Sequence, residues 1–305
     1  MRIIRDLDSA NVERETVLTI GAFDGLHVGH QCLLGRLMRS AQGANRLSGV
    51  VTFDPPPRRV LFPDSNLICL TTLEDKIELL EAWGLDLLVI VTFTMEVAST
   101  SAQGFLQPLR DRLHMAELWV GWNFALGRGR EGDAPALKKL GPKMGFEVRI
   151  IDPVSEGGAT ISSTRIRSLL GAGQVREAAE MLGRYYHLNG VVVPGAGPER
   201  QTGYHTANLN VPQTCSLVAS GVYAAYAIVQ GKRYLAVVDL GTRPTFGEGQ
   251  PTLEVHLLDF EGELGGQPLR VQFVEHLRDE RAFASVKALH AQIEKDIARA
   301  REILT

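Results

Sequence analysis

The apolar runs of this chain change their spacing once, near residue 185, and that change limits what it can fold into. Upstream, runs at residues 17–23, 49–53, 87–93, 118–122 and 148–151 stand far enough apart for a helix to fit between them. Strands alternating with helices are the pattern of a parallel α/β sheet. One helix is expected to open at Thr71, where Glu74 completes a capping box, and another near Asp133 with Pro135 in its first turn. Helical stretches follow over residues 162–170 and 174–182, where Gly183 marks a stop. Downstream the runs are short and close together, at 188–193, 222–229, 234–240, 253–258 and 269–273, with Gly and Pro clusters between them. Such strands suit an antiparallel barrel or sandwich. A last helix, roughly 283–303, carries Val286, Leu289, Ile293, Ile297 and Ala300 at helical spacing and should pack on that barrel. At roughly 100–200 residues per domain, 305 residues fit two, expected over 1–185 and 186–305.

The first strand runs into Gly21-Ala22-Phe23-Asp24-Gly25-Leu26-His27-Val28-Gly29-His30, and Leu33, Leu34, Leu37 and Met38 then give the spacing of a helix. His27 and His30 therefore fall at a helix start. Unpaired backbone N–H groups and the positive end of the helix dipole gather there, which suits an anion. Gly25 and Gly29 permit close approach of backbone to ligand. A single histidine in this position is usually a solvated cap; two at this spacing in a Gly-rich turn point to phosphate. A second cluster, Ile161-Ser162-Ser163-Thr164-Arg165-Ile166-Arg167, collects hydroxyls and two guanidinium groups at another helix start. It can cap the helix or bind phosphate oxygens.

Composition narrows the partners. A net charge of −3 gives no global basic excess of the kind that drives nucleic-acid binding, so small molecules are the expected ligands. No stretch approaches the roughly 20 apolar residues that cross a bilayer, and residues 1–11 carry charges where a signal peptide needs an apolar centre. A cytoplasmic protein without a membrane partner is expected. Cys32, Cys69 and Cys215 are scattered and odd in number, so they read as packing residues rather than a disulfide framework or a zinc site.

The two phosphate motifs together resemble the bacterial bifunctional riboflavin kinase/FMN adenylyltransferase (FAD synthetase) family, and the similarity runs through the whole chain. Val51-Thr52-Phe53-Asp54-Pro55 and Val120-Gly121-Trp122-Asn123-Phe124-Ala125-Leu126-Gly127 also match that family. The resemblance implies an N-terminal Rossmann-like nucleotidyltransferase domain, then a riboflavin kinase-like β-barrel with a terminal helix. It implies that His27 and His30 contact the ATP phosphates, together with Gly21, Phe23, Asp24, Gly25 and Gly29. Ser162, Ser163, Thr164, Arg165 and Arg167 would bind the triphosphate, Arg167 in a catalytic role, and Asn123 would lie at the flavin site. Asp24 either orients a histidine or stabilises the turn, the turn being the better reading. Ala22 stands where the family usually has Asn, and Asp54-Pro55-Pro56-Pro57 replaces Glu-Pro-His-Pro.

In the second half, Gly203-Tyr204-His205-Thr206-Ala207-Asn208 resembles the family's Gly-Phe-Pro-Thr-Ala-Asn. The resemblance implies that Thr206 and Asn208 hold Mg²⁺ with ATP as co-substrate, and that Glu254 is the general base. Period-two alternation puts Glu254 and His256 on one side of a strand, opposite Leu253, Val255 and Leu257. Pro198 and Glu199 interrupt a usually glycine- and arginine-rich phosphate loop: proline removes a donor and glutamate repels phosphate. The implied activity is conversion of riboflavin to FMN and of FMN to FAD. The alternative is an FMN adenylyltransferase whose barrel is a degenerate kinase, serving as a flavin-binding or structural module.

Overall fold

Each of the five apolar runs upstream of residue 152 becomes a strand of one parallel sheet. A computed structural model describes residues 1–7, 9–65, 68–193, 206–211, 218–242 and 251–305. They divide into two compact units, Met1–Ser163 and Thr164–Thr305. The sheet of the first unit contains β1 (Arg2–Ile4), β2 (Thr16–Ile20), β3 (Leu47–Asp54), β4 (Leu87–Thr92), β5 (Met115–Gly121) and β6 (Glu147–Ile151), in the order β1-β4-β3-β2-β5-β6. β1 lacks an apolar run of its own: of its three residues only Ile4 is buried, and pairing with β4 is what makes it a strand.

Helices cover both faces, as a sheet apolar on both sides requires. α1 (Val28–Gly43) and α2 (Leu73–Ala82) pack Leu34, Leu37 and Leu80 with Val17, Val50 and Leu88. On the other face α3 (Ala102–Leu113) and α4 (Ala134–Met144) pack Leu106, Leu109 and Leu137 with Leu18, Val51 and Leu118. α4 starts as expected, with Asp133 as its cap and Pro135 in the first turn. The box expected at Thr71 and Glu74 forms one residue later, because Thr72 accepts from the Asp75 N–H and Asp75 accepts from the Thr72 N–H. Thr71 is thereby left to serve the turn described below. At the end of α1, Glu117 is 7% exposed and accepts from Ser40 (2.9 Å), Arg46 (2.8 Å) and the Trp119 indole (2.9 Å).

The second unit opens within α5 (Ser163–Gly171), at Thr164, and continues into α6 (Val175–Leu182), which is closed by Gly183 in the left-handed region. Six strands follow: β7 (Tyr186–Val193), β8 (Thr206–Asn210), β9 (Gly221–Val229), β10 (Lys232–Thr242), β11 (Pro251–Leu257) and β12 (Pro268–Arg278). They close a barrel in the order β7-β8-β11-β10-β9-β12. Alternate residues fill it: Ala207, Leu209, Val238, Leu253, Val255 and Phe273 are at most 5% exposed. β8 escapes an apolar search because Thr206, Asn208 and Asn210 separate its two inward residues. α7 (Val286–Leu304) lays Ala300 and Leu304 on the outer barrel face against Tyr226, Leu235 and Val237. Val286, expected in its apolar stripe, is 62% exposed instead, since the helix meets the barrel through its later turns.

Trp83, Trp119 and Trp122 all lie in the first unit, so tryptophan fluorescence follows its unfolding alone. Glu117→Ala leaves buried donors unpaired and should lower the stability of this unit by about 2–4 kcal/mol. A fall in the urea midpoint of the tryptophan signal, with the barrel transition unmoved by far-UV circular dichroism, is the expected result.

Candidate active sites

In the strand order, β2 has β3 on one side and β5 on the other, and the chain crosses in opposite directions from this point. Ligands of open α/β sheets bind at such a switch point, beyond the carboxyl ends of the strands. Two of the singled-out segments leave there: the 21–30 turn follows β2, and Asn123 follows β5. Asn123 lies in a tight turn closed by the Phe124 N–H on the Gly121 carbonyl at 3.0 Å, and is exposed beside Trp122.

The 21–30 turn has an unusual backbone. Gly25 takes φ 81°, and Phe23 and Leu26 take positive φ values of 47° and 41° while being nearly fully buried. Asp24 holds this conformation: its Oδ1 accepts from the N–H groups of Leu70 (2.8 Å) and Thr71 (3.2 Å). The Gly25 N–H donates to Thr71 Oγ1 at 3.2 Å, and Ser163 Oγ donates to the Asp24 carbonyl at 2.8 Å. Asp24 thus ties the turn to the 70–71 segment.

His27 caps α1, its Nδ1 accepting from the His30 N–H at 3.3 Å. In the neutral ring the proton is therefore on Nε2, which becomes a donor. The two imidazoles stack with centroids 3.7 Å apart and 15° between planes, and the edge of Phe23 meets His30. Gly29 makes room for the stack, since a Cβ there would lie 3.1 Å from His27 Nδ1. His30 Nδ1 is enclosed without a hydrogen-bond partner among the described residues. Burial, then the neighbouring His27 and the Lys76 ammonium, hold His30 well below its ordinary pKa of 6.5. The site concentrates donors and positive potential around a partly enclosed ring, the arrangement that an anion relieves.

Lys76 gives no apolar or motif signal of its own and escapes sequence reading. It sits on α2 with 6% exposure and donates to Thr52 Oγ1 on β3 at 3.2 Å. The sequence sign, visible only afterwards, is a lysine at a position where the helix faces the core. Ser162 and Ser163 end the first unit, while Thr164, Arg165 and Arg167 open the second within α5.

In the barrel, Thr206 stands opposite His256, Asn208 opposite Glu254, and Glu254 opposite Asp239. All occupy the outer face, alternating with the buried Ala207, Val238, Leu253 and Val255. Thr206, Asp239, Glu254 and His256 line a pocket of about 190 Å³ roofed by α7 and the segment leading into it. The roof is fixed by Arg278, which forks onto Asp296 of α7 at 2.8–3.2 Å, with Gln292 donating to the same carboxylate at 2.6 Å. Hydroxyl, amide and carboxylate oxygens on one face are the donor set of a hard cation. Pro198, Glu199, His205 and Cys215 lie outside the described residues.

Comparison with known proteins matches a different family model to each half of the chain. The family model "FAD synthetase" matches residues 9–165 and the model "Riboflavin kinase" matches residues 182–304. The chain is 36% identical over 306 residues to the "Bifunctional riboflavin kinase/FMN adenylyltransferase" of Escherichia coli (strain K12), covering 99% of this chain and 97% of that protein. It is 34% identical over 289 residues to the protein of the same name from Bacillus subtilis (strain 168), covering 93% and 91%. A crystal structure titled "Macrolide-efflux Protein from Streptococcus pneumoniae" superposes with a TM-score of 0.91 and 28% identity over 98% of both chains. Among the described residues of the present chain, no helix is long and apolar enough to cross a membrane. With a parallel-sheet half and a closed-barrel half each matching its own enzyme model, the chain belongs to the bifunctional riboflavin kinase/FMN adenylyltransferase family.

Proposed function

We propose that residues 186–305 phosphorylate riboflavin to FMN and that residues 1–185 adenylylate the FMN to FAD. The observation that carries the first unit's role is the His27–His30 stack at the start of α1, at the switch point of the sheet. A phosphate oxygen of FMN attacks the α-phosphorus of ATP, the bond to the β-phosphate oxygen breaks, and pyrophosphate leaves. Negative charge on the phosphate oxygens meets the Nε2–H of His27, the ring of His30 and the N–H groups that open α1. These are fixed before substrate arrives, which is the condition for stabilising a transition state. Ser162, Ser163, Thr164, Arg165 and Arg167 contribute hydroxyls and guanidinium groups to the triphosphate, and Asn123 meets the flavin. Asp24 acts on the turn rather than on the nucleotide, its carboxylate oxygen being engaged by Leu70 and Thr71.

In the barrel, Glu254 accepts the proton of the ribityl hydroxyl as that oxygen attacks the γ-phosphorus of ATP, the bond from that phosphorus to the β-phosphate oxygen breaks, and ADP leaves. Thr206 and Asn208 would hold Mg²⁺, whose charge would offset that of the phosphates. The pocket under α7, lined by Val237 and Phe283 as well as Glu254, is the proposed place of the flavin ring. Riboflavin, ATP, FMN and FAD are the proposed ligands, and the cytoplasm is the proposed location.

His30→Ala should lower FAD formation from FMN by at least about tenfold while leaving riboflavin phosphorylation intact. Glu254→Gln should do the reverse: FMN formation falls by about 10²-fold or more and FAD formation from supplied FMN persists. Product chromatography from riboflavin and from FMN distinguishes them, and loss of both activities in either variant contradicts the division. A third expectation concerns pH. The unfolded chain protonates His30 near 6.5 and the folded chain only lower, so the unfolded state binds more protons and stability falls as pH drops through 6.5. His30→Asn should flatten that acid-side decline in the tryptophan-detected urea midpoint.

A further inference from the structure

Among the described residues, Lys76 is the buried charged group that the roles above leave unused. Lysine is almost never this deep without a partner of opposite charge, because the ammonium loses its hydration. The hydrogen bond identified for its Nζ is to a neutral hydroxyl, Thr52 Oγ1, at 3.2 Å. That same hydroxyl lies 3.4 Å from the Ala22 carbonyl, to which it donates, so the ammonium is one side chain away from the backbone of the 21–30 turn. The ionisable groups acting on it come from every neighbouring element: Asp24 and His30 from the turn and α1, Asp54 from the end of β3, and Cys69 from the segment before α2. Asp24 is already engaged by two backbone N–H groups, and Asp54 is exposed. Burial lowers the lysine's proton affinity, and the carboxylates and Cys69 restore part of it.

We propose that Lys76 is a positioning residue of the adenylyl-transfer site: its ammonium, tethered through Thr52 beneath the 21–30 turn, is a fixed positive charge that the incoming triphosphate neutralises. This rests on the adenylyltransferase reading of the first unit. A cation held under the turn draws phosphate oxygens toward His27 and His30 and disfavours protonation of His30 while the site is empty. A bound anion offsets that positive charge, so the lysine and the histidine should each bind protons more tightly once phosphate is present.

The test uses the full chain and magnesium pyrophosphate as the probe. Lys76→Met is expected to weaken pyrophosphate binding and raise the KM for ATP in FAD synthesis by about tenfold or more, with riboflavin phosphorylation unchanged. Histidine NMR should show the His30 titration moving to higher pH in Lys76→Met, and Lys76→Arg should restore most of the pyrophosphate affinity. A structural strut would give a different result: a lower tryptophan-detected urea midpoint with pyrophosphate affinity and the His30 titration unmoved, which overturns the proposal. Should Lys76→Met not fold, the wild-type protein decides. The lysine Cε resonance of Lys76 must titrate at higher pH with pyrophosphate bound than without, and an unmoved titration refutes the role. Wild-type protein that binds pyrophosphate but makes no FAD from FMN would instead overturn the reading beneath it.

Discussion

The carboxylate of Asp24 sets the first site by fixing a backbone that its sequence would not choose unaided. Phe23 and Leu26 both adopt positive φ, a conformation that disfavours side chains with a Cβ, and it persists only where surrounding contacts over-determine it. Two N–H groups on one carboxylate oxygen, and the Gly25 N–H on Thr71, supply those contacts. What results is the approach angle of α1 and the stacking of His27 on His30. The arrangement of the histidines thus depends on a carboxylate turned toward the 70–71 segment.

That dependence explains why the box of α2 forms at Thr72 and not at Thr71. Both threonines precede the helix with an acidic residue three positions on, Glu74 or Asp75, so local sequence offers two equivalent starts. Thr71 is withdrawn by tertiary contacts that only the folded turn provides: its N–H donates to Asp24, and its hydroxyl oxygen accepts from the Gly25 N–H. The same helix then carries Lys76 to the underside of the turn.

Element types were legible wherever burial imposed a period. β2 to β5 announce themselves because both faces are covered, β6 by its apolar run although Ile150 is exposed, and β11 because Leu253, Val255 and Leu257 alternate with Glu254 and His256. β1 and β8 were not, since one is short and charged and the other carries Thr206 and Asn208 outward. Of the first site, the histidines and Asp24 stood out as a motif, and Lys76 did not, because a lone lysine in a helix reads as solvated until its surroundings are known. In the second site, Glu254, Thr206 and Asn208 are ordinary strand residues by pattern. Only the register, Asn208 opposite Glu254 and Glu254 opposite Asp239, gathers them on one face.

Closure of the barrel joins β7 to β12, whose partners lie far apart along the chain: Tyr186 pairs with Phe273, and Leu188 with Val271. The parallel sheet has all its strands once residue 151 has been synthesised, whereas the barrel lacks its closing strand until residue 278. During translation, at about 5–20 residues per second, the first unit can fold while the second still presents unpaired strand edges. Closing so long a loop is also slow in itself. The kinase half is accordingly the part of the newborn chain that is exposed longest to edge-to-edge association, and the half whose folding a chaperone has most time to influence.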